Sequence, residues 1–137
     1  MNEERGSVTL FVVFIALALF AGAGLVIDGG AGITVASRAA DVAQNAARAG
    51  IIEGSVPGPD GAITVDGTKA RAAAVDWLAR EHVVGADAEV TVTPDLVTVT
   101  VRMQRPTTLL RLAGVPELHV ERTGAARPAS GITKEGA

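Results

Sequence analysis

VTLFVVFIALALFAGAGLVI (Val8–Ile27) is a run of twenty residues in which Thr9 is the one polar side chain. At about 1.5 Å rise per residue, a helix of this length covers roughly 30 Å, the thickness of a bilayer's hydrocarbon core. A helix on the surface of a small soluble domain keeps a polar face for water, and this run has none. The sequence therefore predicts a transmembrane helix over 8–27, preceded by a short tail (1–7) and closed by Asp28. That prediction decides the layout of everything downstream.

The flanks of the run distinguish an anchor from a cleaved signal. Ala21-Gly22-Ala23 has the small-x-small form of a signal cleavage site. A secretory signal also carries a basic start, and here Glu3 and Glu4 outnumber Arg5. The apolar stretch continues past the site through Gly24-Leu25-Val26-Ile27, which favours an uncleaved signal-anchor. Charge alone does not orient it, because Arg5 before the span is matched by Arg38 after it.

Gly29-Gly30-Ala31-Gly32 follows the span and is a candidate hinge, since glycine is a poor helix former. From Ile33 to Ala49 small apolar residues (Val35, Ala36, Ala39, Ala40, Ala43, Ala46, Ala47) recur at three- and four-residue spacing, so 28–50 extends the N-terminal helix, with Gly50 as its cap. If the glycine patch stays helical, one rod of about 40 residues results. Residues 51–123 read as a small α+β domain. Turn residues fill 53–61, and 62–65 is a short strand. Asp66 or Thr68 caps a helix to about His82, with an apolar stripe of Ala70, Ala73 or Ala74, Trp77 and Leu78.

Two segments, 89–93 and 97–104, alternate valine and threonine with period two around the turn Thr93-Pro94-Asp95-Leu96. They predict an antiparallel hairpin with one valine face and one threonine face, the latter solvated. Thr107 or Thr108 is placed to cap a short helix over 109–113, which Gly114 and Pro116 end. Residues 118–121 resume alternation, and 124–137 reads as a disordered tail. The fold class is α+β: a single N-terminal transmembrane helix extended into a long helix, packed on a small antiparallel sheet.

Composition limits the chemistry. From Asp28 onward there are 11 Lys and Arg against 13 Asp and Glu, which provides no footprint for nucleic acid. There is no cysteine, so disulfides, thiolate metal sites and a cysteine nucleophile are excluded. His82 and His119 have no metal-binding or triad spacing, and the aspartates at 60, 66, 87 and 95 fall in turns without calcium-loop spacing. The sequence thus predicts no enzyme, no cofactor and no small-molecule substrate. Three residues remain as candidates for recognition. Ala18 and Gly22 form a small-xxx-small pair suited to helix–helix contact in the membrane. Asp28, an acid at the span end, either marks where the helix leaves lipid or pairs with a basic group on a neighbouring subunit.

Three pieces together resemble a known family. Glu4-Arg5-Gly6-Ser7-Val8-Thr9 leads into the span, the span ends Gly24-Leu25-Val26-Ile27-Asp28-Gly29-Gly30, and the alanine-rich run 36–50 follows at once. With 97–104 and Pro106-Thr107-Thr108-Leu109-Leu110-Arg111-Leu112, these resemble the short TadE/TadG-like proteins of the tight-adherence (Flp, type IV-like) pilus machinery. The resemblance implies a pilin-like layout in the cell membrane, N-terminus cytoplasmic and C-terminal domain outside. The implied partners are the lipid bilayer and other pilus-assembly membrane proteins or pilins. One departure stands out: processed prepilins carry glutamate at the fifth position after the cleaved glycine, and here Gly6 is followed at that position by Phe11. The other class of reading is a generic secreted or membrane-anchored extracytoplasmic binding domain with no pilus role.

Overall fold

The first helix, α1 (Glu3–Gly54), starts inside the charged tail and continues unbroken through the apolar run, the glycine patch and the alanine-rich segment. In this computed structural model residues 3–59, 61–83 and 85–129 are described; Asp60 and the tail beyond 129 lie outside them. The glycine patch read as a hinge is helical. Each glycine costs about 1 kcal/mol of helix propensity relative to alanine, but helix on both sides propagates through the patch. Gly50 does not cap α1. It lies inside the helix, where an added Cβ would stand 2.9 Å from the Ala70 carbonyl oxygen and 3.1 Å from Val97. The helix instead runs to Gly54, and Ser55 Oγ donates to the Ile51 carbonyl at 2.6 Å across its last turn.

The chain divides into two units. One comprises residues 1–35 and 104–119, and the other begins at residue 36, runs to 103 and takes up again at 120. In the larger unit, β1 (Ser55–Pro57) pairs antiparallel with β2 (Ile63–Val65), and α2 (Gly67–Arg80) follows. Asp66 is the N-cap, its carboxylate accepting from the Thr68 and Lys69 N–H groups. The C-terminus closes as a Schellman motif: Val83 N–H donates to Leu78, and His82 N–H to Ala79. His82 takes the left-handed position there, with φ of 61°.

The second sheet has the order β3-β4-β5, from β3 (Ala88–Thr93), β4 (Leu96–Pro106) and β5 (Glu117–Ala126). β3 and β4 form the expected hairpin, with Val90 opposite Val99 and Thr91 opposite Thr98. On β4 and β5, Thr100 meets Thr123 and Arg102 meets Glu121. Residue numbers rise on one strand as they fall on the other, so this pair is antiparallel too. Arg102 reaches Glu121 at 2.7 Å and Glu89 at 3.5 Å, a cross-strand ion network on the exposed face.

Period-two alternation turns Val90, Val97, Val99 and Val101 to the other face, where all four are buried. Ala39, Ala43, Ala46 and Ala47 of α1 and Ala70, Ala74 and Leu78 of α2 cover them. The buried stripe of α2 is therefore Ala70-Ala74-Leu78, and Trp77 flanks the core half-buried. Its indole N–H is buried with no hydrogen-bond partner among the described residues. The largest completely buried side chains are valines, so backbones approach closely in place of bulky packing.

Gly124 illustrates this closeness. A Cβ there would lie 2.4 Å from the Gln44 backbone nitrogen, so only glycine lets β5 lie on α1 at this point. The Gln44 side-chain amide then donates to the Ala125 carbonyl at 2.9 Å. This contact explains why residues 124–126, expected in a disordered tail, are strand.

Candidate functional site

The smaller unit joins the apolar part of α1 to the ten-residue connection between β4 and β5. That connection contains one 3-10 turn, Leu110–Ala113, where a short helix over 109–113 was expected. Gly114 adopts a left-handed conformation (φ 88°) and ends it, and the Val115 N–H returns to the Leu110 carbonyl. Thr107 closes the base: its N–H donates to the Pro116 carbonyl at 2.9 Å, and its hydroxyl to the Val115 carbonyl.

The cap of this turn comes from α1. The sequence expects Thr107 or Thr108 to supply it, but Leu109 is the N-cap residue and no side chain of the loop bonds there. Instead Asp28 Oδ1 accepts from the Thr108 N–H at 2.9 Å. Its Oδ2 accepts from the Leu109 N–H at 2.8 Å and the Leu110 N–H at 2.7 Å. Thr107 uses its hydroxyl across the loop, which removes it as a cap. An aspartate 80 residues upstream thus satisfies three N–H groups that a short turn leaves unpaired.

Asp28 is 3% exposed. The N–H groups of Leu110 and then Thr108 hold its carboxyl below the ordinary carboxylate value. Burial opposes them, and the Leu109 N–H and the Arg105 charge add to the lowering. The negative end of this arrangement sits where the N-terminus of a helical turn favours an anion. Asp28, read from the sequence either as the mark of where the helix leaves lipid or as a partner for a basic group on a neighbouring subunit, has three backbone donors within its own chain.

Gly24 and Gly32 complete the seat. At four-residue spacing, Gly24, Asp28 and Gly32 share one face of α1. A Cβ on Gly24 would come within 3.0 Å of Leu109 Cβ, and one on Gly32 within 3.3 Å of Leu118 Cδ1. Sequence reasoning missed both glycines. The Gly-x3-Asp-x3-Gly spacing is the signal that marks them.

No family model, curated protein or solved structure matches this chain.

Ala18 and Gly22, the other sequence candidates, are exposed, and a Cβ on Gly22 would meet nothing within 4 Å. At about 100° per residue, Gly22 points to the opposite side of α1 from Gly24. The helix thus has two small-residue faces, one occupied by the loop and one open. Around them, Val8, Leu10, Phe11, Phe14, Leu17, Leu19, Phe20, Leu25 and Val26 are between 59% and 75% exposed. This part of α1 is long and apolar enough to cross a membrane.

His82 ends α2, and His119 on β5 has Glu117 as a neighbour at 3.9 Å. Among the described residues no three His, Asp or Glu side chains gather as a metal site.

Proposed function

We propose that this chain is a non-enzymatic, membrane-anchored component of tight-adherence (Flp-type) pilus assembly, akin to the TadE/TadG-like proteins. It acts as a minor-pilin-like subunit or an assembly factor. The observation that carries the reading is a helix with a bare apolar run over 8–27, followed directly by a small alanine- and valine-cored α+β unit. On this reading the span is single-pass, with the N-terminus cytoplasmic and the domain outside the cell membrane. Its partners are lipid and other pilus-assembly membrane proteins or pilins, which approach through the open Ala18–Gly22 face.

The test joins genetics to mass. Deleting the coding sequence in its native host removes or sharply reduces surface pili, and the intact gene restores them. Unchanged piliation would leave the generic anchored binding domain as the better reading. The intact mass of membrane-purified protein reports processing. An unprocessed N-terminus fits a permanent anchor, a start at Ser7 makes the chain a true pilin, and a start at Gly24 makes it a released protein.

A further inference from the structure

The loop between β4 and β5 exposes apolar side chains next to the apolar end of α1. Leu112 is 84% exposed and Val115 42%. Leu109, in the same turn, packs on Gly24, which lies inside the run Val8–Ile27. Gly24 precedes Asp28 by four residues, roughly 6 Å along the helix axis. The Leu112 N–H bonds to the Leu109 carbonyl at 3.0 Å, so both leucines belong to one compact turn. Arg105 and Arg111 are exposed on either side of Leu109 and Leu110 in sequence.

We infer that residues 109–115 form a second membrane-contact element, a leucine turn seated in the headgroup–acyl boundary of the bilayer that α1 crosses. This inference rests on the proposed membrane span. Three observations select lipid as the occupant. The turn is fastened through Leu109 to the last part of the apolar run, where Leu25, Val26 and Ile27 are exposed, and its own Leu112 is exposed as well. Leu109 is seated on Gly24, about 6 Å along the helix axis from Asp28, a distance comparable to the 5–10 Å at which interfacial apolar faces sit. Arg105 and Arg111, exposed on either side of the turn in sequence, are of the residue type that suits the phosphate level. Asp28 makes this placement tolerable. Without its carboxylate, the N–H groups of Thr108, Leu109 and Leu110 would enter that boundary unpaired.

The chain has no cysteine, so single-cysteine labelling of the full-length protein needs no background substitutions. A fluorescent probe at L112C, in vesicles of zwitterionic and anionic phospholipid, is compared with probes at F14C and T91C. Quenchers are placed shallow in the lipid, deep in the lipid and in water. The expected result is several-fold stronger quenching at position 112 by the shallow lipid quencher than by the aqueous one. Position 14 answers to the deep quencher and position 91 to the aqueous one. Adding D28A moves position 112 toward the aqueous quencher and leaves position 14 deep.

Aqueous quenching at 112 with position 14 still deep overturns the leucine turn alone. Shielding of 112 from all three quenchers also overturns it, in favour of a contact with a second copy. Aqueous quenching at position 14 overturns the span reading itself.

Discussion

Asp28 accepts three backbone N–H bonds from a loop some 80 residues away, and its carboxylate geometry makes its replacement informative. Asparagine keeps one acceptor oxygen but turns an NH2 group toward N–H donors, so D28N preserves size and loses two-sided acceptance. D28A leaves all three N–H groups unpaired. In full-length protein in detergent, amide exchange at Thr108, Leu109 and Leu110 is expected to be faster in both variants, and fastest in D28A. Unchanged protection in D28A would mean that the loop holds without its cap. The pH dependence follows from the lowered pKa. A carboxyl whose folded value is depressed contributes stability that is complete above its unfolded value, near 4, and lost as pH falls through the folded value. Loop protection is therefore flat from neutral pH to about 5 and declines only in stronger acid. D28N removes that acid step. The sequence singled out Asp28 because a charge ended an apolar run, but not its role. Its partners are backbone N–H groups some 80 residues away, and N–H groups leave no mark in a sequence.

At the scale of elements, the valine–threonine alternation disclosed the β3–β4 hairpin and its buried face, since a period of two assigns faces without further information. The ends of elements were harder to read, because tertiary contacts decide them. α1 passes Gly50 since α2 packs against it there, and β5 extends to Ala126 since Gly124 admits the α1 backbone. G124V tests that reason. Its side chain would collide with backbone, which cannot step aside as a flexible side chain would. A loss of about 2 kcal/mol is expected, read as a drop of about 8–16 °C in the melting of the larger unit within the intact protein. A fall of less than 2 °C would show that β5 does not need this approach. His82 tests the opposite sign. It occupies a left-handed position that costs most residues about 1 kcal/mol and suits glycine. H82G is expected to raise the melting temperature by a few degrees, and a decrease would mean that the imidazole makes a contact worth more than the strain.

At the scale of the whole chain, the apolar run was fully legible because length and composition alone decide whether a helix is able to cross a bilayer. The face that seats the loop was not, because it required knowing which distant segment returns to α1. The strength of the proposed anchor is open to arithmetic. Thirteen of the residues from Val8 to Ile27 are Leu, Ile, Phe or Val, each favouring insertion by about 0.3–0.6 kcal/mol, or about 4–8 kcal/mol together. One arginine near the centre costs about 2.5–3.5 kcal/mol. L17R should therefore remain in the membrane fraction after alkaline carbonate extraction. F14R/L17R costs about 5–7 kcal/mol and removes two apolar contributions, which cancels most of the driving force. The double variant is expected in the soluble or aggregated fraction, while detergent is still needed to release the single one. Equal membrane retention of both variants would show that the loop or a partner, not this run, holds the protein at the membrane.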